Sequence, residues 1–165
     1  MQSTGAQGDY GPAEYTSTVW NLTRMASDSG IIVVAAAGNG AEDLDSSAYL
    51  SYRNRGDSGA IIVGAGSRNT LHNKQSYSTF GTRVDVQAWG TGVVTTGYGD
   101  FAIYGGDSNQ SYDTFSGTSS ASACVGGVVT LLQSYAKNVL RTTLTPLEMR
   151  SHLKANGHAQ GGSGG

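Results

Sequence analysis

The sequence of 165 residues is poor in several things at once. Its one cysteine, Cys124, leaves no internal disulfide framework to hold the fold. It has two prolines and only 13% charged residues. So little charge beside 38% hydrophobic residues excludes a disordered acidic or basic chain. Neither sign dominates: the net charge is −2, which leaves no electrostatic footprint for nucleic acid. No stretch reads as a membrane span, because the uncharged segment from Ser116 to Tyr135 is studded with serine and threonine. The start does not read as a signal peptide, since Met1 is followed by polar and glycine-rich residues. Glycine is abundant, with 25 residues and no three-residue period, which excludes collagen and points to tight turns. One α/β or sheet-rich domain over residues 1–160 is expected, with Gly161 to Gly165 reading as a Gly/Ser linker or tail.

The hydrophobic pattern orders the elements. Tyr15, Val19, Leu22, Met25 and Ala26 share one face of a helix over residues 14–28, and Gly30 stops it. Ile31 to Ala37 is a continuous apolar run rich in β-branched residues, which suits a strand buried on both faces of a parallel sheet. Ala60 to Ala65 is a second such strand, and Val84 to Ala88 alternates like a strand with one wet face. Residues 92–96 and 101–104 are predicted to pair as a hairpin around Gly97-Tyr98-Gly99-Asp100. Ser119 to about Val139 reads as a helix that is apolar nearly all round. Its small residues Ala121, Ala123, Gly126 and Gly127 let it lie close on a sheet. Thr145-Pro146-Leu147-Glu148 is a capping box with proline at the first helical position, opening a last helix to about Ala155. The residues up to Pro12, and those from Gly38 to Asp57, read as polar loops.

Two segments carry chemistry. Ala35-Ala36-Ala37-Gly38-Asn39 closes the first buried strand, and ligands in open α/β sheets gather off the carboxyl ends of strands. Asn39 is thus placed to donate an amide proton to a substrate oxygen, although a plain Gly-Asn turn fits the same residues. Phe115-Ser116-Gly117-Thr118-Ser119-Ser120-Ala121-Ser122 is a glycine turn leading into the buried helix. A serine there has free backbone N–H groups beside it and the positive end of the helix dipole behind it, and both favour an oxyanion near its hydroxyl. An ordinary serine N-cap also fits. The segment is not the Gly-x-Ser-x-Gly elbow, because Ala121 stands at the second glycine. A third segment, Tyr77 to Gly90, carries no obvious chemistry of its own.

Together and in this order, the three segments and the final helix resemble the second half of the subtilisin-like serine protease family, over residues 13–155. The resemblance implies a three-layer α/β fold with a mainly parallel sheet, represented by its C-terminal portion. It places Asn39 on the family's oxyanion-hole asparagine and Ser119 on the nucleophile. Ala36, Ala37 and Gly38, with Gly117 and Thr118, are the expected substrate-binding residues. Ser120, Ala123 and Cys124 stand where the family has Met, Pro and His, and Trp89 replaces a proline. The family's catalytic Asp and His precede this half. None of His72, His152 and His158 matches the catalytic histidine, and all three read as surface residues. The substrate-binding edge strand, ending in a Ser-x-Gly type segment, is expected upstream as well.

The expected activity is a serine endopeptidase acting on peptides or proteins, inactive alone. Its expected partner is an Asp/His-bearing half in cis or trans, or a second copy of itself. By resemblance it is secreted or extracytoplasmic. The alternative is a pseudoprotease or peptide-binding scaffold. A glycine-, serine- and tyrosine-rich adhesive or sugar-binding β domain is a third reading, against which the helical segments stand. No cofactor is implied. Glu42, Asp43 and Asp45 offer oxygens to a structural calcium ion, but their spacing fits no EF-hand loop, and a solvated charge cluster is the expected role. Cys124 reads as a small buried hydrophobe. The sequons Asn21-Leu22-Thr23 and Asn109-Gln110-Ser111 carry no weight.

Overall fold

The computed structural model describes residues 2–97, 99, 101–107 and 110–161. Tyr98 and Asp100 of the predicted turn, Asn109 of the second sequon and residues 162–165 of the tail lie outside the described residues. In chain order the elements are β1 (Gln2–Thr4), β2 (Tyr10–Pro12), α1 (Ser17–Asp28), β3 (Val34–Ala36), α2 (Leu50–Arg53) and β4 (Ile61–Gly66). There follow β5 (Val86–Trp89), β6 (Val93–Thr96), β7 (Ala102–Ile103), β8 (Ser111–Phe115), α3 (Thr118–Tyr135) and α4 (Pro146–Asn156).

Strand β4 is the spine. It is buried at every residue and pairs in parallel with β3 on one side and β5 on the other. Alternate side chains leave opposite faces of a strand. Ile61 and Val63 accordingly pack with Ala121, Val125 and Val129 of α3 and Met149 of α4, while Ala60 and Ile62 pack with Ala37 on the far face. A third cluster of Leu44, Tyr49 and Tyr52, with Tyr15 and Trp20 against it, completes the core. Full burial of each large aliphatic side chain stabilises the fold by roughly 1.5–3 kcal/mol. Helix α4 begins as its sequence dictates: Thr145 caps Glu148 N, Glu148 reaches back to Thr145 N, and Pro146 follows the cap.

Several expectations are corrected. The run from Ile31 is a strand only from Val34, and Ile31 is 58% exposed. The reason is position: β3 is an edge strand, so one of its sides has no neighbour to cover it. In α1 the inward side chain is the buried Thr23, beside the half-buried Trp20, while Leu22 and Met25 face solvent. Periodicity gives a stripe, but the neighbour decides which stripe is covered. Helix α3 buries one face only; Val128, Leu131 and Tyr135 are exposed, Leu131 at 72%. Cys124 is half-buried rather than buried. The N-terminal residues form the β1–β2 hairpin rather than a loop. The segment after Gly38 folds into a short 3-10 turn and α2 and sinks two tyrosines. The predicted hairpin of residues 92–104 does not form directly, because β8 inserts between β6 and β7.

An ion network ties the sheet to the segment before α1. Arg83 lies 2.9 Å from both Glu14 and Asp85. Glu14, only 2% exposed, also accepts hydrogen bonds from Tyr52 and Ser58. Removing one partner of a buried pair strands the other charge out of water. Arg83→Met should therefore destabilise the chain by roughly 3–5 kcal/mol, read as a lower urea midpoint. A midpoint that stays in place would show the network to be dispensable.

Candidate active site

Parallel pairing sends the carboxyl ends of β3, β4 and β5 the same way. Gly38 and Asn39 after β3, and Gly90 after β5, therefore meet at one end of the sheet, and the start of α3 lands between them. Gly117 N donates to Gly90 O at 2.8 Å, and Ser120 Oγ donates to Trp89 O at 3.0 Å. From the other strand, Asn39 Oδ1 accepts from Thr118 N at 2.9 Å and from Thr118 Oγ1 at 2.8 Å. Thr118 Oγ1 in turn accepts from Gly38 N at 3.2 Å.

These contacts set the orientation of the Asn39 amide. Thr118 N–H can only donate, so the amide oxygen must face it and Nδ2 must face away. Nδ2 lies over Gly117, where an added β-carbon would stand 3.0 Å from it, and it has no acceptor among the described residues. Gly117 also has φ +104°, a conformation L side chains rarely adopt, so glycine is required on two counts. Ser119 is the second residue of α3. Its N–H precedes the first intrahelical bond, which runs from Ala121 N to Gly117 O at 3.3 Å, and so has no partner within the helix. Ser119 is half-buried, and its hydroxyl has no hydrogen-bond partner among the described residues. One side-chain N–H and one backbone N–H thus stand beside a free serine hydroxyl at the positive end of a helix.

The structure brings Asn39, Gly117, Thr118 and Ser119 together. Ala36, Ala37, Gly38 and Thr118 are buried, so they contribute backbone and packing rather than exposed side chains. The β1–β2 hairpin covers Gly38, where a β-carbon would come within 2.3 Å of Tyr10 O. Tyr77, expected to do no chemistry, donates its hydroxyl proton to Gly90 O and accepts from Gly117 N at 3.2 Å. Burial pushes the Tyr77 phenol above its ordinary pKa, which keeps that proton in place. Gln2 was missed too: its Oε1 accepts from Asn39 N at 2.8 Å. The letters Ser-x-Gly also occur at Ser3-Thr4-Gly5, where Ser3 and Thr4 lie in β1 next to Gln2 and Gly5 follows the strand.

Of the acidic cluster only Glu42 is buried; Asp43 is half-buried and Asp45 is exposed. Glu42 is buried and accepts from Asp9 N at 2.8 Å, while Asp45 accepts from Thr82 N at 2.8 Å and Thr82 Oγ1 at 2.6 Å. These carboxylates tie loops together, and no group of three potential ligands is placed to hold a metal ion among the described residues. His72 and His158 stack with ring centroids 6.0 Å apart, and His152 is exposed on α4. None of the three bonds to Ser119 among the described residues.

The parallel sheet and its covering helices define an α/β domain. More narrowly, the chain belongs to the Subtilase family, whose profile matches residues 2–163. It is 34% identical over 153 residues to "Extracellular protease" of Xanthomonas campestris, an alignment covering 93% of this chain and 24% of that protein. It is 34% identical over 134 residues to Thermitase of Thermoactinomyces vulgaris, covering 81% of this chain and 39% of that one. Among solved structures, a protease from Pseudoalteromonas arctica superimposes with a TM-score of 0.66 at 27% identity. That match covers 89% of this chain and 42% of the other. The chain thus spans less than half the length of each of these relatives. The helices and the parallel sheet overturn the adhesive β-domain reading.

Thr118→Val tests the tie. It removes the hydroxyl that serves both Asn39 Oδ1 and Gly38 N, leaving a buried N–H unpaired, at a cost of roughly 1–3 kcal/mol. Denaturant titration should show that loss, and the Asn39 side-chain amide resonances should shift. Unchanged stability and unchanged resonances would dissolve the tie.

Proposed function

We propose that the chain is the nucleophile-bearing part of a subtilisin-like serine endopeptidase. The observation that carries this reading is the pairing of Asn39 Oδ1 with Thr118, which leaves Asn39 Nδ2 and Ser119 N free beside the Ser119 hydroxyl. Ser119 Oγ attacks the carbonyl carbon of a peptide bond, and Asn39 Nδ2 and Ser119 N–H receive the negative charge that builds on the carbonyl oxygen. The tetrahedral adduct collapses with loss of the amine, leaving an acyl group on Ser119 Oγ that water then hydrolyses. Ala36, Ala37, Gly38, Gly117 and Thr118 shape the substrate pocket from beneath, and Ser3 and Thr4 of β1, with Gly5 after it, supply an edge of it.

Serine needs a base to give up its proton, and none of this chain's histidines bonds to Ser119 among the described residues. The reading therefore includes an Asp/His-bearing segment, supplied in cis or in trans, without which the chain is inactive. The exposed apolar residues Leu22, Met25 and Ile31, with Val128, Leu131 and Tyr135, support such a partner, as does the free edge of β3. Secretion is part of the same reading and rests on the relative named an extracellular protease. Retention of both Asn39 and Ser119 favours catalysis over a scaffold that only binds peptide.

In the complete enzyme, Ser119→Ala should abolish labelling by a fluorophosphonate. Asn39→Ala should slow turnover by about 10²–10³-fold with KM little changed, a magnitude established on subtilisin itself rather than obtained from this geometry. Labelling that survives Ser119→Ala would sink the assignment.

The partner is tested separately. Purified alone, the chain should sediment as a self-associated species or melt without cooperativity. A monodisperse monomer with an ordinary cooperative melt would refute the need for a partner.

A further inference from the structure

Strands β6, β8 and β7 form a separate sheet, in that order, which leaves the body after Trp89 and returns at Ser116. Strand β8 pairs antiparallel with both neighbours, Val93 opposite Phe115 and Ala102 opposite Tyr112. The three strands pack on one another and make only scattered contacts with any helix or other strand. Phe101 and Tyr104 are more than half exposed. Ile103 and Phe115, each half exposed or more, lie on the face that also carries Asp113, while Val94 lies on the opposite face with Tyr112. A sheet this small is stable in water only when an apolar face is covered.

Charge distinguishes the possible covers. Between Arg83 and Lys137 the sequence holds no lysine, arginine or histidine, and its charged residues there are all aspartates. Asp107 and Asp113 belong to the arm. At the β6 edge a second copy would meet only the uncharged Val93–Thr96 and gain no charge pairing, whereas Asp113 lies on the sheet face that it shares with Ile103 and Phe115. A polypeptide segment that alternates apolar side chains with lysine or arginine matches both the charge and the apolar surface. Strand β6 has a free edge to receive such a segment by strand addition. Strand β8 ends at Phe115, four residues before Ser119.

The geometry points to a recognition arm: the β6–β8–β7 sheet binds a cationic, apolar stretch of polypeptide substrate and so presents the neighbouring bond to Ser119. That the bound polypeptide is a substrate rests on the endopeptidase reading; the binding itself does not require cleavage. The substrate class it selects is polypeptides with lysine or arginine interleaved with apolar residues beside the cleavage point.

The test uses the complete enzyme, with its Asp/His-bearing segment, carrying Ser119→Ala so that nothing is cut. A fluorescein-labelled peptide of alternating leucine and lysine is titrated by anisotropy against its leucine–glutamate twin. The lysine peptide should bind at least about tenfold more tightly, with an advantage that shrinks as salt rises. Asp113→Lys should erase that preference, and the double variant Phe101→Ser, Ile103→Ser should weaken both peptides about tenfold. Circular dichroism checks that each variant keeps its helix content. Should Asp113→Lys unfold, the double variant and the peptide pair decide alone. Equal binding of the two peptides, or tight lysine-peptide binding that folded arm variants leave untouched, would overturn the recognition arm. Neither result alters fluorophosphonate labelling of Ser119, so the endopeptidase reading fails or survives on its own test.

Discussion

The corner depends on one shared acceptor. Asn39 Oδ1 takes both the N–H and the hydroxyl of Thr118, and nearly everything else about the corner follows from that contact. It fixes which end of the amide points outward. It fastens the first turn of α3 to the end of β3. Strand β5 holds the same turn from the other side through Gly90 and Trp89, and Tyr77 bridges Gly90 and Gly117. The helix start is thus pinned to the two strands that flank β4, and small displacements of either strand are carried directly to Ser119. In the proposed reaction, donors held in place in this way cost no rearrangement at the moment charge develops.

The body of the chain is built with a single interior strand. In the parallel sheet β4 alone is paired on both sides, and among the described strands it alone is buried throughout. Away from β4 the packing thins: β3 and β5 have free edges, and α1 and α3 each turn an apolar stripe to solvent. The buried ions follow the same logic. Arg83, Glu14 and Asp85 sit where the sheet meets the segment before α1, and each is satisfied by more than one partner, as charges removed from water must be.

What was legible in the sequence is what is decided locally or buried completely. The capping box at Thr145 is read correctly because its four residues contain the whole interaction. Residues 60–65 read as a buried strand because both faces are covered and every position is apolar or small. The run from Ile31 looked the same, yet an edge strand leaves half of it wet. The β1–β2 hairpin was invisible because Gln2-Ser3-Thr4 carries no apolar pattern; its register is held by partners such as Asn39, far along the chain. The pairing of β6 with β8 rather than β7 was hidden for a related reason, since a nearby turn is always the simpler guess. In the site, Asn39 and Ser119 could be placed at the ends of their elements, and the structure brings those ends together. The roles of Tyr77 and Gln2 lie wholly in contacts across the fold, and the burial of the Glu42 carboxylate was hidden because its partner Asp9 is remote in sequence.

The separation of Asn39 from Thr118 along the chain also bears on how the fold is reached. The two residues that make the defining hydrogen bonds are 79 positions apart. Closing a loop of that length costs entropy before any contact rewards it, and non-local parallel pairing is slow for the same reason. Local structure such as α4 can begin early, whereas the corner assembles only once β3, β5 and the start of α3 have all been made and docked. During synthesis, the strand end bearing Asn39 leaves the ribosome long before the helix that orients its amide exists. The arrangement of Asn39 Nδ2 and Ser119 N–H is consequently one of the last features the nascent chain acquires, and partly folded forms carry Ser119 without it.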